Sequence, residues 1–449
     1  MQNSDRALPE LLTVAQASAI LIGIVVGIGI FKTPPLVAAY AGSEGAFIWL
    51  WLLGGALTIA GALCYAELGS SHPSPGGEVH YLSRAYGDAV GFLFAWGRMT
   101  VMQSGAIAAV AFAYGDYAQT IVPLGTYGAA VHGAGAVIAL SLLQITGTGV
   151  SGRLQVMLTL GTIALILALS LSSLFAPGAP LPVEAAAANA AGNGGSGGGL
   201  AGLALVFILL TYGGWNEAAY LSGEIRDVRR NMVRVLLLGT GAVIVLYVVF
   251  NLSLVAHFGI EQLAQEKVVT GPVDAVFGTW GAAIAAGAIC IAALSTLNGT
   301  LFTGARSIYA LGRQFAPFAA LGRTNASVRT PALAIAAQAG ISLALVAFGA
   351  IQRDGFAAMV EYTAPVFWLF MLLTGTSLFV FRWREPDLRR PFRVPLYPLT
   401  PLLFCATALY LLHASIAYTG TGGLIGLAIL LAGLPVYLLN TRRSRTVRA

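Results

Sequence analysis

The chain has 449 residues, of which 57% are hydrophobic and only 9% are Asp, Glu, Lys or Arg. Soluble domains carry roughly 25% charged residues, so the charged shell that a soluble protein of this length needs is missing, and a mean hydropathy of +0.80 points to lipid. The net charge of +6 is scattered singly between apolar blocks, which suits membrane loops and argues against a nucleic-acid partner.

A helix needs roughly 20 apolar residues to cross the hydrocarbon core. That rule predicts an all-α membrane protein of about twelve transmembrane helices, with spans near 14–39, 46–69, 88–117, 132–150, 154–176, 199–222, 232–257, 272–311, 331–350, 357–381, 396–416 and 421–441. The runs are continuous and not alternating, which excludes a β-barrel. The 272–311 block is too long for one crossing and is expected to hold a helix to residue 297 with an extension toward the cytoplasm. Cys64, Cys290 and Cys405 lie in apolar runs, with neither a metal spacing nor a disulfide framework. Asp5, Pro9 and Glu10 do not read as the basic start of a secretory peptide.

Arginine placement orients the spans. With a cytoplasmic N-terminus, the inner segments collect Arg84, Arg153, the group from Arg226 to Arg234, Arg306 to Arg329, Arg382 to Arg393 and a basic tail from Arg442. The outer segments keep only Lys32, Lys267 and Arg353. This alternation predicts a multi-pass protein of an inner or plasma membrane with both termini cytoplasmic. Arg98, near the start of the third span, is expected to snorkel toward the cytoplasmic face. The Ala-, Gly- and Pro-rich stretch 177–198 reads as a mobile outer linker, and Pro386 to Pro401 as an extended inner connection.

Two spans carry more than a lipid anchor needs. The first has Gly23, Gly27 and Gly29, then Phe31, Pro34 and Pro35; the sixth has Tyr212-Gly213-Gly214-Trp215-Asn216. A broken helix in hydrocarbon leaves N–H and C=O groups unpaired, at a cost of several kcal/mol, so it persists only where it lines a polar cavity or binds something. Freed N–H groups at Ile28, Gly29 and Ile30 would accept a carboxylate beside a half-helix N-terminus. Freed carbonyls around Thr211, Tyr212 and Gly213 would accept an ammonium. Together they match the two ends of an α-amino acid. Close helix packing through glycine is the alternative, and it stays open for Gly27 and Gly29 above all. Five spans per inverted repeat would put the two breaks at corresponding positions.

At Gly27-Ile28-Gly29-Ile30-Phe31 and at Tyr212-Gly213-Gly214-Trp215-Asn216 the chain resembles the amino acid–polyamine–organocation superfamily. Within it, the chain is most similar to the L-type amino acid transporter branch and its bacterial relatives. Tyr65-Ala66-Glu67-Leu68-Gly69 with Pro75-Gly76-Gly77, Glu224 with Arg226, Arg230 and Asn231, Leu297-Asn298-Gly299, and the run from Arg384 to Pro395 agree in the same order. The resemblance implies one transporter domain over 1–449. It would comprise a LeuT-like five-plus-five inverted-repeat core in 14–176 and 199–381, discontinuous first and sixth helices, and two peripheral helices in 396–441. It implies Ile28, Gly29 and Ile30 at the substrate carboxylate, Thr211, Tyr212 and Gly213 at the amino group, and Ser295 and Asn298 near the central cavity. The family's gating aromatic falls at Leu210 or Thr211, so Phe207 and Trp215 become gate candidates. The coupling lysine of many relatives falls at Thr162, so a lysine-centred mechanism does not carry over. A hydroxyl there coordinates a cation or, as is favoured, bonds its own helix.

Glu217 follows the sixth-span break directly. It is a candidate for proton exchange, or a structural group that caps N–H donors or pairs with an arginine, which is the favoured reading. Glu224 with Arg84 or Arg153 would form an inner gate or a surface pair, Glu67 would anchor its helix, and Lys32 would draw an anion or snorkel. The expected function is secondary active transport of a neutral amino acid by alternating access, as exchange or proton symport. No cofactor, metal or catalytic residue is expected, and an accessory subunit is left open. A polyamine or cationic amino acid is the alternative substrate. An intramembrane enzyme or a channel is the alternative of another class, but the chain has neither a His-Glu-x-x-His signature nor a nucleophile elbow.

Overall fold

The structure, a computed structural model, describes residues 12–74, 76–175, 197–265, 281–325, 330–352, 354–419 and 421–446. Among these the regular structure is helical, apart from one parallel bridge between Leu12 and Ile225. Nine of the described helices are long and apolar enough to cross a membrane, and up to ten if the bent pair Val14–Val25 and Gly29–Ala41 is one span. The chain is an all-α, multi-span membrane protein.

Two further predicted spans lie in pieces. The 88–117 span is built from Asp88–Gly97, a π-helical turn Arg98–Met102, and Gln103–Ile121. The 199–222 span is built from Gly197–Thr211, a 3-10 turn Trp215–Glu217, and Ala218–Leu221. The extension expected beyond residue 297 is no separate element: Gly281–Gln314 is one helix. The 177–198 linker lies almost wholly outside the described residues, as do Lys267, Arg329 and Arg353.

Helix starts follow ordinary capping chemistry. Thr13 and Gln16 form a capping box at the head of the first helix, and the Ser43 side chain accepts from the Ala46 N–H ahead of Glu44–Ser71. Asp354 does the same for Gly355–Arg384. The first helix packs against Val228–Leu263, Thr148–Phe175 and Gly281–Gln314. The Gly197–Thr211 helix packs against Gly29–Ala41 and Glu44–Ser71. The interrupted first and sixth segments therefore sit within the bundle. Leu142, Met157, Leu160 and Val245 are exposed on outer faces, where lipid solvates them.

Charged side chains tie the polypeptide together after the Gly355–Arg384 helix. Glu67, 2% exposed, accepts from Arg382 and from the Val394 N–H at 2.6 Å. The Pro-rich connection is a series of turns, held by Arg390 donating to the carbonyls of Phe381 and Glu385. The pairing expected between Glu224 and Arg84 or Arg153 is corrected. Glu224 takes two hydrogen bonds from Arg306, at 2.7 and 3.2 Å, because Arg306 on the Gly281–Gln314 helix faces the end of the sixth segment. Arg84 instead meets Glu385 at 2.7 Å.

Candidate functional site

The first helix ends where Val26 takes φ −76° and ψ 83°, and the chain restarts at Gly29 with a bend of 51°. The Gly27 N–H donates to the Val25 carbonyl at 2.8 Å, and the N–H groups of Phe31 and Lys32 turn back to the Ile28 carbonyl. The N–H groups of Ile28, Gly29 and Ile30 are left without a backbone partner among the described residues, as at any helix start. Pro34 and Pro35 do not make the break; both lie inside the Gly29–Ala41 helix. Lacking N–H groups, they leave the Ile30 and Phe31 carbonyls without their usual donors.

In the sixth segment the helix stops at Thr211. Gly214 turns the chain with φ 107°, a conformation that costs a residue bearing a Cβ about 1–2 kcal/mol. A Cβ on Gly214 would also stand 3.2 Å from Ile24 Cγ2, so the two breaks touch there. Three side chains join them or hold them in place. The Tyr247 hydroxyl donates to the Val25 carbonyl at 2.8 Å and lies 3.5 Å from the Thr211 carbonyl. Thr33 Oγ1 meets Thr211 Oγ1 at 2.6 Å, and Thr211 in turn donates to the Phe207 carbonyl. Ser295 donates to the Gly23 carbonyl at 3.2 Å.

Between the breaks lies a cavity of about 320 Å³, at the small end of the roughly 300–1,000 Å³ typical of small-molecule sites. Of the residues singled out in the sequence, Ile28, Gly29, Phe207, Leu210, Thr211, Gly213 and Glu217 line it. Ile30 and Tyr212 are buried and do not; the Tyr212 hydroxyl donates to the Trp51 carbonyl at 3.3 Å. Trp215 faces a smaller pocket with Phe404 and Trp368 and packs on Tyr65. Ser295 and Asn298 stand behind the cavity in a buried polar network, where Gln155 donates to Ser295 and Asn298 to Gln155. Thr162 donates to the Leu158 carbonyl of its own helix, and it is Thr159 that faces Gly23. The two readings of the first-span glycines coexist. Both line the cavity, yet a Cβ on Gly27 would lie 2.3 Å from Thr296 Oγ1 and one on Gly29 3.2 Å from Thr211 Cγ2.

The expectation that Arg98 snorkels is corrected. Arg98 is 2% exposed, lines the cavity, and donates to Glu217 at 2.6 Å. Lys32, on the cavity wall, pairs with Asp116 at 3.2 Å and lies 4.8 Å from the Phe356 ring centroid.

A family model described as amino acid permease matches residues 12–434. The chain belongs to the amino acid permease family. It is 28% identical to the serine/threonine exchanger SteT of Bacillus subtilis (strain 168), over 97% of this chain and 98% of that protein. It is 30% identical to the human large neutral amino acids transporter small subunit 2, over 97% of this chain and 81% of that protein. It is 27% identical to the mouse Asc-type amino acid transporter 1, over 97% of this chain and 82% of that protein. The permease is thus a secondary transporter of amino acids within the amino acid–polyamine–organocation superfamily.

The favoured reading of Glu217 as an arginine's partner agrees with the contact to Arg98, but sequence reasoning did not single out which arginine, and it missed Tyr247, Thr33 and Gln103, which lines the cavity and donates to the Thr300 carbonyl at 2.8 Å. For Arg98 a signal was present. It lies ten residues beyond Asp88 and is the sole charge between Asp88 and Asp116. That is roughly 15 Å along a helix, too deep for a side chain to reach the interface easily. For Tyr247 nothing in its apolar surroundings separates it from a core tyrosine.

Proposed function

We propose that the permease moves a neutral amino acid by alternating access, with the cavity between the two breaks as its substrate site. The observation carrying this reading is that Ile28 and Gly29, whose N–H groups have no backbone partner among the described residues, line the same cavity as Thr211 and Gly213 of the sixth-segment break. A substrate carboxylate takes charge-assisted hydrogen bonds from the first set, and the ammonium meets carbonyls of the second. Tyr212 contributes through its backbone alone. Phe207 and Leu210 close over the substrate from the cavity wall, while Trp215 steadies the turn below them.

Two features favour a neutral side chain over a polyamine, a cationic amino acid or a dicarboxylate. The charged groups on the cavity wall are already paired, Arg98 with Glu217 and Lys32 with Asp116. The rest of the wall is uncharged, with Phe207, Leu210, Phe356 and Val360 set among threonines, Gln103 and Asn216. The names of the relatives, a serine/threonine exchanger and a large neutral amino acids transporter subunit, support the same class. In this reading 14–176 and 199–381 are the inverted repeats, the two interrupted segments rock about the substrate, 396–441 is peripheral, and both termini are cytoplasmic in an inner or plasma membrane.

The test is counterflow. Purified permease in liposomes preloaded with unlabelled L-serine, L-alanine or L-leucine is expected to take up the labelled counterpart saturably and faster than empty liposomes do. A neutral panel without trans-stimulation, beside saturable uptake of a diamine, would reverse the assignment.

A further inference from the structure

Arg98 is a single cation between two buried carboxylates. Its Nη2 donates to Glu217 Oε2 at 2.6 Å, and its Nη1 lies 3.8 Å from Glu78 Oε2. Glu78 opens the short Glu78–Tyr86 helix and is 2% exposed; Glu217 is 7% exposed. The Glu78 carboxyl meets a tyrosine hydroxyl on each oxygen, Tyr220 at 2.8 Å on one and Tyr65 on the other. Tyr220 also presents its ring to the guanidinium, 4.1 Å from the centroid. With both acids ionised, the cluster would hold one uncompensated negative charge away from water. An unmatched buried ion costs several kcal/mol, and neighbouring carboxylates relieve that cost by sharing a proton.

The groups that face Glu78 from the elements packed on it are Tyr65, Arg98, Glu217 and Tyr220, with Tyr81 on its own helix. Two nearby arginines are engaged elsewhere, Arg306 with Glu224 and Arg384 with the Ala85 carbonyl. Of the two acids, Glu217 holds the close contact with Arg98, and Glu78 stands 3.8 Å off. Glu78 has the surroundings of a group that changes protonation. As a carboxylate it accepts from both tyrosines. As an acid it donates to the Tyr65 oxygen, and Tyr65 keeps an acceptor for its own proton in Met371 Sδ at 3.3 Å. Both states are hydrogen-bonded without displacement of a heavy atom.

We propose that Glu78 is the proton-binding group of this permease and that Arg98 couples it to the substrate cavity. The inference rests on the transport reading above. Arg98 and Glu217 line the cavity and Glu78 does not. Glu217 belongs to the 3-10 turn that follows the sixth-segment break, so movement of that turn pulls it from Arg98. The freed guanidinium needs to close only about 1 Å to reach charge-assisted distance from Glu78. Arg98 Nε has no hydrogen-bond partner among the described residues, which leaves the guanidinium a spare donor as it shifts. Glu78 then gives its proton to water admitted from the face to which the cavity has opened, and takes one from water of the opposite face when the turn returns. One proton is thereby linked to one transport cycle.

Two measurements test this. Infrared difference spectra of purified permease, acid minus alkaline, should contain the carbonyl stretch of a titrating carboxylic acid. It disappears in Glu78→Gln. It persists in Glu217→Gln but titrates at lower pH, because Arg98 then serves Glu78 alone. In Tyr220→Phe, which removes a donor to the carboxylate, it titrates at higher pH, and this variant decides the matter if Glu78→Gln does not fold. A band that survives Glu78→Gln, or stands still in Tyr220→Phe, overturns the proposal.

In proteoliposomes, wild type should accumulate labelled L-serine when the pH gradient is imposed, with an affinity that changes by up to roughly tenfold per pH unit for one linked proton. Glu78→Gln should keep L-serine counterflow at equal pH and lose the accumulation and the pH dependence. Gradient-driven accumulation that survives in Glu78→Gln overturns the coupling. Failure of wild type to exchange L-serine would count against the transport reading, while the infrared titration still decides on the proton site.

Discussion

Replacing Tyr247 with phenylalanine removes one oxygen from the point where the two broken segments meet. The ring stays, and so do its edge contact with Trp51 and its tilted contact with Tyr212, whose centroids lie 6.2 and 5.2 Å away. The loss is the donor to the Val25 carbonyl at 2.8 Å and the longer contact to the Thr211 carbonyl at 3.5 Å. A buried acceptor stripped of its donor costs about 1–3 kcal/mol. The Val25 carbonyl keeps the Gly27 N–H at 2.8 Å, so the low end, about 1–1.5 kcal/mol, applies. If the hydroxyl holds both breaks in the geometry that binds substrate, the same energy appears as a roughly five- to tenfold weaker affinity. The assay is equilibrium binding of labelled L-serine to purified Tyr247→Phe, with thermal unfolding measured in parallel. Unchanged affinity beside a lowered unfolding temperature would refute the reasoning, because the hydroxyl would then serve packing alone.

Gly214→Ala should destabilise the permease by about 1–2 kcal/mol through its left-handed φ, and more through the contact with Ile24; thermal unfolding reads it. Gly241→Ala is the control, since a Cβ there meets nothing within 4 Å and alanine favours the helix. Arg98→Met leaves Glu217 and Glu78 without their counter-ion and should cost about 3–5 kcal/mol. The double variant Arg98→Met/Glu217→Leu should recover much of that, as measured by the fraction that stays monodisperse on heating. Acidification should weaken the structure in two steps outside the spans. Burial holds His72 below its usual 6.5, even against the opposing hydrogen bond to Glu385, and its Nδ1 has no partner among the described residues for a second proton. Stability is therefore lost as pH falls from 6.5 toward the folded value. Burial raises the Glu385 carboxyl, but hydrogen bonds from Arg84 and His72 outweigh it and leave the group below its usual 4.5. Its contribution is lost only at still lower pH. His72→Gln should abolish the first step in a pH series of unfolding temperatures, and a preserved first step would clear His72 of that role.

The sequence by itself determined that this chain is helical and lives in a bilayer. Crossing hydrocarbon demands an unbroken apolar run, and such a run is read one residue at a time. It also marked both interruptions, because Gly213-Gly214 and Gly27-Ile28-Gly29 expose backbone where a lipid anchor has no use for it. Local chemistry misled at Pro34 and Pro35, which are accommodated within a helix after the break. Only the tertiary structure decided which side chains hold the breaks together. Tyr247 reaches Val25 across 222 positions of chain, Arg98 reaches Glu217 across 119, and Arg306 displaces Arg84 and Arg153 as the partner of Glu224. Those pairings depend on which helices are neighbours and on the rotation of each about its axis. Hydropathy carries neither quantity, since lipid accepts any rotation that keeps apolar surface outward, and the polar partners inside are chosen by distance.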